Sequence, residues 1–168
     1  MNLHAVNLLF DAVKVVNALT IASPSTSTPA YVSMKGFRKC AVLLSIKPAT
    51  GANSAMAITM HQATAIAGTN VKALAFTKMY SNVDTGAADA MAAVAVTSNT
   101  FTTSSGTANK LYHYLIDIDV EQLDRANGFD CLRVGVADPT NATLAFCATY
   151  FLYGARYASS PPPTAVVD

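Results

Sequence analysis

Apolar and polar residues alternate with a period of two in five stretches of this chain. In residues 39–47, KCAVLLSIK, Cys40, Val42, Leu44 and Ile46 share one face, and Ala41, Leu43, Ser45 and Lys47 share the other. Residues 55–63, AMAITMHQA, set Met56, Ile58 and Met60 against Ala57, Thr59 and His61. The clearest case is 110–119, KLYHYLIDID, with Tyr112, Tyr114, Ile116 and Ile118 opposite His113, Asp117 and Asp119. Residues 131–136 place Leu132, Val134 and Val136 inward and Arg133 outward; residues 143–153 align Leu144, Phe146, Ala148, Tyr150 and Leu152. A pleated strand that buries one face and wets the other needs this spacing. Weaker strands are expected at 12–17, 74–80, 92–97 and 99–103, which brings the total to eight or nine. That number of short strands predicts an all-β chain, a two-sheet β-sandwich or jelly roll.

The breaks between these runs carry turn chemistry: Pro48–Gly51, Asp84-Thr85-Gly86, Ser104-Ser105-Gly106 and Asp138–Asn141. Two places suit a helix. Asp119 is placed to cap a single turn over Val120–Asp124, and Gly128 to end it in the left-handed conformation. Residues 87–93, AADAMAA, are alanine-rich enough for a helix, but the alternation that follows favours a strand. At the ends the pattern fades. ASPSTSTPA at 22–30 reads as a linker, and the prolines of SSPPPTAVVD favour an extended form that joins no ladder. The expected organisation is an N-terminal arm and linker at 1–30, a β-sandwich at 31–157 and an extended proline-rich tail at 158–168.

Composition narrows the chemistry. Hydrophobic residues make up 52% of the 168, charged residues 12%, and Glu121 is the only glutamate. A formal net charge of +1 supplies no field for nonspecific nucleic-acid binding. The one local basic cluster, Lys35, Arg38 and Lys39, reads as a solvated strand entry. Cys40, Cys131 and Cys147 form no C-x-x-C pair and are expected to be buried free thiols, which suits synthesis in a reducing compartment. The N-terminus lacks a basic region ahead of its apolar part, and Asp11 and Lys14 interrupt it, so it does not read as a signal peptide. No run of 18 residues is apolar and free of charge. Asn141-Ala142-Thr143 is a formal glycosylation sequon; without a secretory signal it reads as chance.

Few groups are left for catalysis. Asp117 and Asp119 share a strand face, as a proton-sharing or cation-binding pair would, but a calcium site needs more oxygen ligands than two. A solvated outer face is the simpler expectation. His61 and His113 lie on the polar faces of their strands, where adjacency would bring the imidazoles together; a metal would still require a third ligand. His4 falls in the arm. No serine stands in a G-x-S-x-G elbow, and Gly68–Lys72 lacks the spacing of a phosphate loop. Tyr80, Tyr112, Tyr114, Tyr150, Tyr153 and Tyr157, with Phe151, suit either a stacking surface or a half-buried core with hydroxyls at its rim; the core is the favoured reading. No catalytic, cofactor-binding or metal-binding residues are assigned, and the chain is not expected to be an enzyme.

Four segments carry a resemblance. They are Tyr31–Cys40 (YVSMKGFRKC), Gln62-Ala63-Thr64, Lys72–Phe76 (KALAF), and Leu123-Asp124 running through Gly128-Phe129-Asp130-Cys131-Leu132-Arg133. Together they resemble small structural proteins from the head-gene regions of tailed bacteriophages, the capsid decoration or cement family. The resemblance covers most of 31–157 and implies a jelly-roll-like sandwich without catalytic residues. It further implies a virion protein, made in the host cytoplasm, that forms a dimer or trimer. Such a protein staples neighbouring capsomers of a major capsid protein from outside and touches neither membrane nor nucleic acid. The alternative is a carbohydrate- or receptor-binding sandwich of a phage fibre or tail, its site formed by the tyrosines, Asp117, His113 and Asn/Thr loops.

Overall fold

The computed structural model describes residues 12–22, 28–48, 55–103, 110–137, 144–156 and 164–166. Among them run eleven strands: β1 (Val13–Ala22), β2 (Val32–Ser33), β3 (Phe37–Pro48), β4 (Ala57–Ala63), β5 (Lys72–Ala73), β6 (Lys78–Asn82), β7 (Ala92–Ala95), β8 (Thr100–Thr102), β9 (Tyr112–Asp119), β10 (Cys131–Val136) and β11 (Leu144–Ala155). They form two antiparallel sheets. The first has six strands in the order β1-β11-β3-β9-β6-β7; the second runs β2-β10-β4-β5, with β8 also paired to β4. The long-range pairs nest, β3 with β11, β4 with β10 and β6 with β9, as in one long hairpin rolled on itself. The fold is the all-β sandwich expected, jelly-roll-like in this nesting.

Period-two alternation fixes which side chains meet between the sheets. Cys40, Val42, Leu44 and Ile46 of β3, Tyr112 to Ile118 of β9 and Phe146 to Leu152 of β11 turn alternate residues inward. Ile58 and Met60 of β4 and Leu132 and Val134 of β10 meet them from the second sheet in one continuous core. The run at 74–80 alternates for another reason. Leu74 and Phe76 are buried, but they lie where the chain crosses from the second sheet to the first, and the ladder resumes only at Lys78. Alternation there marked burial with only single backbone bonds, from the Leu74 N–H to the Met60 carbonyl and from the Phe76 N–H to the Ser98 carbonyl.

The ends contribute more to the sandwich than the sequence suggests. Val13–Ala22, expected as a short weak strand within the arm, is the edge strand beside β11, with irregular register at Asn17–Leu19 and Leu19–Ala22. Of the tail, residues 164–166 fold back: Ala165 is buried, and its carbonyl accepts from the Ser33 N–H at 2.8 Å. This seals the open side of β2, whose unpaired groups would otherwise offer themselves to another chain. The remaining parts of the arm and tail, with His4, Tyr157 and the sequon at 141–143, lie outside the described residues.

The two helical candidates resolve differently. Asp119 caps as expected: its carboxylate accepts from the Glu121 N–H, and the Gln122 side chain accepts from the Asp119 N–H, a reciprocal capping box. The turn is 3-10 and is followed by a second one at Arg125–Asn127, which Gly128 ends at φ 79°. Residues 87–93 hold no helix. Both side-chain ends of Asn82 are tied there, one to the Ala88 carbonyl at 2.7 Å and one to the Asp84 N–H at 3.0 Å. That loop is thereby led into β7.

Tyr150 departs most from expectation. Its hydroxyl lies inside the molecule, not at the rim. The β2–β10 register pairs Cys131 with Ser33 and Leu132 with Val32; continued two residues, it would pair Val134 with Ala30. The strands have parted by then. The Tyr150 hydroxyl, reaching across from β11, fills the gap: it accepts from the Val134 N–H at 3.1 Å and donates to the Ala30 carbonyl at 3.0 Å. Burial pushes this phenol far up from its ordinary pKa, so it stays a neutral donor and acceptor.

Candidate assembly interface

The outer faces of the two sheets differ. In an antiparallel sandwich the outward residues are normally polar, and the five-stranded sheet follows that rule with Thr59, His61, Thr100 and Arg133. The six-stranded sheet departs from it in the middle of its face. One row across its outer face reads Thr149, Leu43, Leu115, Tyr80 and Ala93 on five successive strands. The next reads Val15, Phe151, Ala41 and Asp117. Most of these side chains are half-buried by their neighbours, and Tyr80 is 40% exposed. Among the described residues no element packs over them. Six strands at about 4.8 Å spacing and the eight residues of β9 at about 3.4 Å each make a face of roughly 700 Å². One partner in a standard protein interface contributes about 800 Å². The signal was present in the sequence: AVLL at 41–44 and ATYFL at 148–152 stay largely apolar on both faces.

Charge on this face lies toward the strand ends at Lys39, Lys47 and Asp119, with Asp117 and Lys78 next to the apolar rows. Asp117 and Asp119 do not act as a pair. The Asp117 carboxylate accepts from the Tyr153 hydroxyl at 2.8 Å, while Asp119 is committed to its cap. Burial first, and then this bond to Asp117, push the Tyr153 phenol up to about 12. His113 lies on this same face, whereas His61 lies outward on the opposite sheet, so the two imidazoles never meet. Of the tyrosines, Tyr112, Tyr114 and Tyr150 are buried, which leaves no continuous stacking platform. Cys40 and Cys131 are buried, and burial pushes Cys40 far up; Cys147, expected to be buried, is instead half-buried on the outer face, where it sits opposite Ser45.

The segments that carry the resemblance converge on one corner. The Gln62 side chain accepts from the Asp124 N–H at 2.8 Å and donates to the Ala73 carbonyl at 3.1 Å. Lys72 pairs with the Asp124 carboxylate and lies 4.3 Å from the centre of the Phe129 ring. The bond from Lys72, and then that from Asn127, hold the Asp124 carboxyl below its usual range. Asp130 receives Lys35 at 3.6 Å, and its carbonyl accepts from the Met34 N–H. These motifs thus build a joint between the sheets, not a reaction centre. Gln62→Leu, which keeps the volume and removes both bonds, is expected to cost about 2 kcal/mol. Urea denaturation checks it, and an unchanged midpoint would contradict this role.

A cleft of about 700 Å³ opens beside this corner, lined by Arg38, Lys39, Arg125 and Arg156 with Asp119 and Glu121. Its charges are mixed, and part of the basic cluster expected at the strand entry lines it. No group of three or more His, Cys, Asp or Glu placed to hold a metal occurs among the described residues, and no helix there is long and apolar enough to cross a membrane. The chain matches no protein-family model and no curated protein.

His61 provides a pH signature. Burial first, and the facing Arg133 second, lower its pKa below 6.5. The unfolded chain therefore binds the proton more readily, so stability is lost as pH falls from 6.5 toward the lowered native value. Denaturation midpoints measured across that window should decline with pH, and His61→Gln should flatten the decline.

Proposed function

We propose that the protein is a capsid decoration protein of a tailed bacteriophage, seated through the outer face of its six-stranded sheet on the outside of a shell built by a major capsid protein. The observation that carries this reading is the apolar outer face: Leu43, Leu115, Tyr80, Phe151 and Val15 lie side by side where a solvated sheet would be polar. The near-neutral charge fits a part that packs among many copies of itself and its shell without strong repulsion. Repetition over a lattice converts modest single-site affinity into firm retention. The resemblance of the corner motifs to head structural proteins supplies the partner. In this reading the protein works as a homo-oligomer on the virion surface, is made in the host cytoplasm and catalyses nothing.

Co-sedimentation with capsid shells of the source virus, before and after expansion, tests the proposal. Saturable pelleting at a fixed ratio to the major capsid protein, on expanded shells, is the expected result. No pelleting on either form overturns it. Specific signals on a glycan array would then favour the alternative, a carbohydrate- or receptor-binding module of a fibre or tail.

A further inference from the structure

The outer face of the five-stranded sheet holds a second feature, independent of the assembly reading. Arg133 on β10 and His61 on β4 are direct cross-strand partners, and both point outward. The Arg133 guanidinium is stacked over the Tyr31 ring, 4.8 Å from its centre. Two residues along the ladder Gly135 faces Thr59. A Cβ on Gly135 would lie 2.7 Å from Thr59 Oγ1 and 3.8 Å from His61 Nδ1. The absent side chain lets the Thr59 hydroxyl close against Gly135, and the two border a cavity of about 220 Å³ lined also by Thr28, Pro29, His61 and Arg133.

Three buried polar atoms in this cluster have no hydrogen-bond partner: Arg133 Nε, His61 Nδ1 and the Tyr31 hydroxyl. Buried polar groups are nearly always paired, so Arg133 and His61, which both line the cavity, mark a missing partner there. The ion pairs formed among the described residues use Lys35, Lys72 and Lys110, and none of them involves Arg133. A guanidinium only donates. What the cluster lacks is an acceptor carrying negative charge. One guanidinium beside an imidazole held neutral balances a single charge, which favours a carboxylate over a phosphate dianion. The planar fork of arginine matches a carboxylate with two parallel bonds.

We propose that Arg133 and His61, bordered by Thr59 and Gly135, form a pocket for one carboxylate group on the outer face of the five-stranded sheet. The carboxylate belongs either to a small free acid or to an acidic side chain of another protein. Bound there, it accepts from the guanidinium and from a ring N–H of His61.

Nuclear magnetic resonance of the full chain tests this by following the Arg133 Nε–H and His61 ring signals during titration. The probes are acetate, N-acetylglutamate amide, their uncharged amide counterparts and inorganic phosphate. Saturable shifts of both residues are expected with the two carboxylates below about 100 mM, and none with the amides. Tighter binding of the glutamate derivative identifies a side chain as the source; tighter binding of acetate identifies a free acid. Arg133→Gln should abolish the shift at His61. Should that variant not fold, Arg133→Lys keeps the charge without the fork and should weaken acetate at least about tenfold. No saturable shift, equal shifts with the amides, phosphate binding tighter than acetate, or an unchanged response in the Arg133 variants would overturn the pocket.

Discussion

Replacing Tyr150 by phenylalanine is expected to lower the unfolding free energy by about 2–3 kcal/mol, although the ring and its packing are kept. The hydroxyl completes a ladder step that the backbone cannot complete alone, because β2 and β10 have parted where Val134 would meet Ala30. Removing it leaves the buried Val134 N–H without a partner, and such an orphan costs about 1–3 kcal/mol. The Val134 N–H points away from β4, so the neighbouring strand cannot compensate. Val134 and Tyr150 are fully buried whereas Ala30 is exposed, so the cost falls on the Val134 N–H, which water does not reach without opening the core. Urea denaturation should show a lower midpoint with an unchanged slope. A loss under about 0.5 kcal/mol would mean that the strands close the gap themselves.

The second large effect concerns assembly. Leu115→Lys, alone or with Leu43→Lys, should weaken attachment to expanded shells about a hundredfold or more while the sandwich stays folded. Both leucines sit mid-row on the outer face, paired with each other. In the free protein a lysine there lays its stem on the sheet and keeps its ammonium in water, at a cost of about 1 kcal/mol or less. Against a partner the same ammonium is desolvated without an opposite charge, which costs several kcal/mol at the centre of an interface. Pelleting assays read the loss of attachment, and thermal melting reads the retained fold. Full binding by the double variant would remove this face from the contact.

Much of the sandwich was legible because burial and period coincide along β3, β4, β9, β10 and β11. The cap at Asp119 and the left-handed stop at Gly128 were legible too, since local hydrogen bonding and backbone sterics decide them. Relations that depend on which strands become neighbours were not. Nothing in the spacing of His61 and His113 says that β4 and β9 fall in different sheets. Nothing local announces that the Tyr150 hydroxyl reaches β10, or that Ala165 returns to β2. The apolar outer face was visible only as a shortfall of polar residues in β3 and β11, and alternation on the inner side drew attention away from it. The Arg133 pocket needed Gly135 and Tyr31 brought together from distant parts of the chain.

The unequal outer faces have a consequence before any partner is met. A rigid body that is wettable on one side and oily on the other behaves as a surfactant. The folded molecule should collect at an air–water boundary with its six-stranded sheet toward the air and Arg133 and His61 toward the liquid. Thin aqueous films, such as those frozen for electron microscopy, should therefore show it predominantly in views along the axis perpendicular to the sheets.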